Sequence, residues 1–190
     1  VVTTEAARAA AISLFGPEVF AAEERAAGGG KSADDDDDGE GGGKFATAQD
    51  LAAHVAARWP DLKQGKPYVV CTGGEPLLRP DVPELIRVLS QEVGIPDIAL
   101  TTNGWLLEKL APALRAAGLG RVNVSVDSLN DATAGKMNGL GFKVGRVLRG
   151  IDAAAAAGIP VKINCVVQRG VNDREIPELC AYFRERGHPL

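Results

Sequence analysis

Val69-Val70-Cys71-Thr72-Gly73-Gly74-Glu75-Pro76-Leu77-Leu78 is the stretch on which the reading of the whole chain turns. Its first residues are apolar and rich in β-branched side chains, which predicts a buried strand. The run stops at two glycines, and a helix is predicted from about Asp81. Strand, glycine turn, acidic residue and helix form the layout of a binding loop, because residues without a Cβ let a ligand approach bare backbone. Glu75 adds a carboxylate acceptor where the strand ends. Two glycines by themselves fit a plain tight turn equally well.

Downstream the same alternation repeats. Ile98 to Thr102, Val122 to Val126 and Val161 to Val167 are predicted strands. Between and after them, Trp105 to Ala117, Arg146 to Ala157 and Glu175 to Arg186 are predicted helices, the first two closed by Gly118 and Gly158. Asp81 is a predicted helix cap with Glu84 in the capping-box position, and Gly94 ends that helix. Upstream, Leu51, Val55 and Trp59 share one face of a helix over Gln49 to Trp59. Strict alternation of strand and helix predicts a parallel sheet with right-handed crossovers.

The strands also say which kind of sheet. An open, doubly wound sheet lies under helices on both faces and reads apolar throughout. Here Val122, Val124 and Val126 share one face while Asn123, Ser125 and Asp127 share the other. Val161, Ile163, Cys165 and Val167 likewise oppose Lys162 and Asn164, and Thr101 and Asn103 fall together with Ala99. Helices outside and polar groups inside predict an α/β fold of the incomplete (β/α) barrel type, with its site at the C-terminal ends of parallel strands.

Composition bounds the partners. The chain has 190 residues, 45% of them hydrophobic, and a formal net charge of −4. That length is about one domain, and the charge argues against nucleic acid or a membrane surface as partner. No run has the length of a membrane span, and the N-terminus lacks a signal pattern. Three scattered cysteines make no disulfide framework, so a cytoplasmic setting is expected. Residues 1–45 contain Gly28-Gly29-Gly30, the acidic run Asp34 to Asp38 and Gly41-Gly42-Gly43. Charge repulsion and glycine entropy predict a disordered low-complexity segment there, with the barrel domain over residues 46–190.

The string Thr72-Gly73-Gly74-Glu75-Pro76-Leu77 resembles the GGEP motif of radical S-adenosylmethionine (SAM) enzymes. After it come Thr101-Thr102-Asn103-Gly104, Asn123-Val124-Ser125-Val126-Asp127-Ser128, Gly150-Ile151-Asp152, Val161-Lys162-Ile163-Asn164-Cys165 and Gly170-Val171-Asn172-Asp173. In that order they are similar to the GTP 3',8-cyclase family of molybdenum-cofactor biosynthesis, over about Thr72 to Leu190. The resemblance implies a partial radical SAM (β/α) barrel that uses a 5'-deoxyadenosyl radical on GTP, or on another purine-derived small molecule. It implies SAM held by Gly73, Gly74, Glu75 and Pro76 with Ser125, and GTP facing Thr101 and Lys162. A [4Fe-4S] cluster is expected for the family, and a homodimer is compatible with it.

Two departures accompany the resemblance. Val70 stands where the family has an arginine that contacts GTP. The cluster requires three closely spaced cysteines, whereas Cys71, Cys165 and Cys180 are far apart and read as packed thiols, so no metal ligands are assigned. Lys162 reads either as a phosphate contact or as the internal partner of Asp127. A second resemblance covers Asp38 to Phe45, the helix ending at Trp59-Pro60, and Tyr68 to Pro76, which are similar to 7-carboxy-7-deazaguanine synthase. A third reading is a cluster-less, inactive module that binds SAM or a nucleotide.

Overall fold

Four short segments with apolar residues at alternate positions lie side by side in the computed structural model, which describes residues 47–62, 68–139, 141 and 143–190. The low-complexity segment expected over residues 1–45 lies outside them, as does the Asp38 to Phe45 stretch of the second resemblance. Strands β1 (Val69–Cys71), β2 (Ile98–Thr102), β3 (Arg121–Ser125) and β4 (Val161–Asn164) form one parallel sheet in which spatial order equals chain order. Each strand therefore pairs with the one before it, as in a barrel wall, with no reversal of direction across the sheet.

The connecting helices are α1 (Ala48–Leu62) before the sheet, α2 (Val82–Arg87), α3 (Leu107–Ala117), α4 (Asp131–Asn138), α5 (Val144–Ala156) and α6 (Ile176–Glu185). Helix α2 runs on into a wider turn over Val88–Glu92. The register aligns Val69 with Ile98, Cys71 with Leu100, Leu100 with Val122 and Val124 with Ile163. That face is buried against Leu85, Ile86, Leu107, Leu114, Ile151 and Phe183. Each such aliphatic side chain contributes about 1.5–3 kcal/mol by leaving water.

The other face carries a different register. Val70 aligns with Ala99 and Arg121, Thr101 with Asn123 and Lys162, and Ser125 with Asn164. Toward the C-terminal ends this face is open, with Ser125, Lys162 and Asn164 exposed. At its lower end Arg121 stacks over the Tyr68 ring at 4.9 Å and pairs with Asp97. The alternation in the sequence is thus realised: helices cover the apolar face, and the polar face is the inner surface of an incomplete (β/α) barrel.

Three local expectations need correction. Asp81 makes no capping bond; both of its carboxylate oxygens are taken by the Arg79 guanidinium, and Glu84 bonds Arg87 instead of closing a capping box. The fourth strand ends at Asn164, not Val167, because the Val166 amide turns to Asp127 Oδ1 at 2.8 Å and leaves Val166 and Val167 exposed. Helix α4 was not expected, since Ala134 is its single buried residue and no apolar stripe announces it. Asn130 starts it, its side-chain oxygen accepting from the amides of Ala132 and Thr133.

Candidate functional site

The loop after β1 is built from its glycines. Gly73 and Gly74 have φ of +99° and +52°, a left-handed backbone region that strains ordinary L-residues, Gly73 most of all. Gly74 is exposed and Gly73 half-buried, so their backbone is what the loop presents to solvent. Pro76 is buried at the start of a single 3-10 turn, Pro76–Leu78.

Glu75 behaves differently from a carboxylate offered to solvent. It is 7% exposed, and its Oε1 accepts from the Leu77 amide at 3.0 Å and from Thr102 Oγ1 at 2.6 Å. Its Oε2 accepts from the Asn103 amide at 2.7 Å. The side chain is therefore turned toward the end of β2, not outward along the sheet. Beyond β2, Asn103 Oδ1 accepts from the Trp105 amide at 2.9 Å, and Arg146 of α5 lies 3.9 Å over the Trp105 ring.

The ends of β3 and β4 are joined by a second set of bonds. Asn172 is fully buried, and its amide nitrogen donates at 2.8 Å to the carbonyls of both Asp127 and Val166. Its Oδ1 accepts from the Gln168 amide at 2.7 Å. Glu175 accepts from the hydroxyls of Ser128 and Thr133, and these two bonds hold its carboxyl below the ordinary glutamate range. Between these ties, Asn103, Ser125, Asp127 and Asn138 line a cavity of about 70 Å³. Ligand sites for drug-sized molecules run to about 300 Å³ or more, so this pit is too small to enclose such a molecule whole.

The expected site residues divide accordingly. Gly73, Gly74 and Ser125 sit at one end of the sheet, all at least partly accessible. Thr101 and Lys162 flank Asn123 in one row across β2, β3 and β4, on the same face as Ser125. Lys162 makes no ion pair among the described residues, and Asp127, its alternative partner, bonds the Val166 amide. Thr102, Asn103 and Asn172 stand in the strings quoted from the sequence, Asn103 on the polar face, but the sequence assigns none of them a role in the site. A threonine on an otherwise apolar face of β2 was the available signal for the first of these.

The cysteines do not make a cluster site. Cys71 is fully buried on the helix-covered face of β1, and burial pushes its thiol up to about 12, away from the thiolate that iron requires. Cys165 is half-buried after β4, its thiol also raised, first by burial and then by the neighbouring Asp127 and Cys180. Cys180 on α6 is exposed, which corrects its reading as a packed thiol. No group of three or more potential metal ligands occurs among the described residues, and the chain has no further cysteine.

A parallel sheet wound in chain order, one face under helices and a diglycine loop and polar row on the other, is the architecture of an incomplete (β/α) barrel, a class of fold whose sites lie at the strand C-termini. Residues 36–183 match the radical SAM superfamily, and the chain belongs to it. It is 48% identical over 128 residues to the GTP 3',8-cyclase of Acidothermus cellulolyticus, covering 67% of this chain and 35% of that one. With the GTP 3',8-cyclase of Xanthomonas axonopodis it is 52% identical over 127 residues, covering 66% and 38%. With that of Staphylococcus aureus it is 42% identical over 137 residues, covering 72% and 40%. The chain thus spans little more than a third of the length of these relatives. Among solved structures it resembles native anSMEcpe with bound AdoMet and Cp18Cys peptide, with TM-score 0.55 and 23% identity over 72% of this chain and 40% of that one. That likeness supports the fold. No helix among the described residues is long and apolar enough to cross a membrane.

Proposed function

We propose that this chain is the SAM- and nucleotide-binding part of a radical SAM enzyme acting on GTP, a lyase of the GTP 3',8-cyclase type. The observation that carries the reading is the polar row Thr101–Asn123–Lys162, on the open face beside Ser125, in a chain about half identical to GTP 3',8-cyclases over two thirds of its length. Lys162 is exposed there and uncommitted to any ion pair among the described residues, so its ammonium is available to a phosphate. Thr101 and Asn123 add hydrogen-bonding groups at the same level.

SAM supplies the reactive group of this superfamily when bound. Here the loop Gly73, Gly74, Glu75 and Pro76 receives it through the accessible backbone of the two glycines, with Glu75 and Pro76 buried behind them, and Ser125 offers a hydroxyl from the end of β3. The lining of the pit at Asn103 and Asp127 fixes one end of the ligand while the row ending in Lys162 holds the nucleotide. The chain's own cysteines do not fit an iron–sulfur cluster, so binding and orientation are the functions assigned to it.

Calorimetric titration of GTP into the wild type and Lys162→Ala tests the reading. A charge-assisted bond to phosphate is worth about 1.5–3 kcal/mol, so affinity should fall on the order of 10- to 100-fold. Stability should change little, because no partner is stranded. Absence of GTP binding by the wild type, or a large stability loss rescued by Asp127→Asn, would overturn the GTP assignment.

A further inference from the structure

Thr102 is out of place in its surroundings. It lies on the helix-covered face of β2, 2% exposed, opposite Val124 and in line with Leu100. Valine would fill that space equally well, and a buried hydroxyl without partners is costly. The hydroxyl has partners: Oγ1 donates to Glu75 Oε1 at 2.6 Å and accepts from the Gly104 amide at 3.1 Å. Glu75 also takes the amides of Leu77, in its own loop, and Asn103, in the next. One buried carboxylate and one buried hydroxyl therefore fasten the loop after β1 to the loop after β2. The second loop is itself held from α5, where Arg146 Nε donates to the Trp105 carbonyl at 3.1 Å.

The geometry also bears on how Glu75 acts. Its carboxylate is engaged beneath the loop, whereas the exposed groups above it are the backbone of Gly73 and Gly74. Two adjacent glycines have the widest conformational choice of any dipeptide, and ordering them on binding would cost affinity. A fastening immediately after them removes that cost before the ligand arrives.

We infer that Thr102 is a positioning residue for SAM: through Glu75 it holds the Gly73–Gly74 backbone in its receiving conformation and does not touch the ligand. The inference rests on the proposed reading of this loop as the SAM site. It extends that reading by giving Glu75 its effect through Thr102 and Asn103.

The experiment compares the wild type with Thr102→Val, Thr102→Ser and Glu75→Gln. SAM affinity is read by calorimetry, and amide hydrogen exchange over Cys71 to Leu78 by mass spectrometry. Thr102→Val should bind SAM about tenfold more weakly, the size of one hydrogen bond to a charged group. Exchange in the loop should accelerate, and Thr102→Ser should restore both readouts. A lower melting temperature with unchanged SAM affinity would overturn the inference. So would weakened binding in Glu75→Gln with Thr102→Val indistinguishable from wild type, since Glu75 would then act by direct contact. If the wild type itself binds no SAM, the proposed function fails, and loop exchange decides the fastening by itself: unchanged exchange in Thr102→Val overturns it, accelerated exchange restored by serine upholds it.

Discussion

Gly74 is the residue at which backbone conformation and ligand approach can be separated. Its φ of +52° is a region asparagine enters at modest cost and branched residues do not. Gly74→Asn should therefore leave the urea midpoint close to wild type, within roughly 0.5 kcal/mol as for ordinary surface changes. The added side chain should nonetheless obstruct SAM, with affinity falling by tenfold or more on the order of a lost backbone contact. Equal affinity for SAM in the two proteins would return the loop to a plain turn. Cys71 supplies a pH test at the same scale. Its folded thiol is pushed up to about 12 from an ordinary value of 9.0. The unfolded chain therefore loses this proton first as pH rises, and the stability linked to it is complete below about 9 and is lost between about 9 and 12. Urea melts of wild type and Cys71→Val across that range should diverge, the wild type falling more steeply; parallel curves would contradict the burial argument.

At the scale of elements, α5 packs against the turn that leads into α3 through a pair of glycines. A Cβ on Gly150 would stand 2.6 Å from the Gly104 carbonyl oxygen, and one on Gly104 would stand 2.9 Å from Val124 and Val147 methyl carbons. Gly150→Ala should then cost about 1–3 kcal/mol by overpacking. Gly145, in the first turn of the same helix, has nothing within 4 Å of its Cβ position. Gly145→Ala should stabilise by about 0.4–1 kcal/mol, since it restricts the unfolded chain without a clash. Urea melts of the two variants should move in opposite directions; a shift of the same sign in both would refute the packing account. Elements of this kind were the most legible part of the sequence. The valines of β3 and the alternation in β4 announced both faces of the sheet, because a half-exposed strand has to alternate. Helix α4 was not legible, since its stability comes from the Asn130 cap and from Asp131 accepting the Val144 amide, neither of which leaves a hydrophobic period. The cap expected of Asp81 fails for a related reason: Arg79, two residues earlier, outcompetes the helix amides for its carboxylate.

For the whole molecule, the sheet brings together residues that the chain holds far apart, and it keeps the cysteines separate. Ser125 and Lys162 could be placed on the open face from parity alone, and Gly73 and Gly74 from the string that contains them. The bonds that organise the site, from Glu75 to Thr102 and from Asn172 to Asp127, link different strand ends, and sequence periodicity carries no information about such pairs. The cysteine separation gives a direct expectation. Anaerobic treatment of the chain with iron and sulfide, followed by desalting, should leave well under one [4Fe-4S] cluster per molecule. A stoichiometric visible absorption lost in Cys71→Ala would show that the sheet can rearrange to bring thiolates together.

The agreement between strand order and chain order reaches beyond the site to the way the sheet can form. Among the described residues every ladder joins a strand to the one translated just before it, from β1–β2 to β3–β4. Among these four, no early strand has to wait for a late one, so each strand–helix–strand unit can dock as it leaves the ribosome. Nascent chains arrested with Ala157 clear of the exit tunnel should already resist brief proteolysis between β1 and β3. If they remain as cleavable there as chains arrested before Arg121, the sheet assembles only after synthesis is complete.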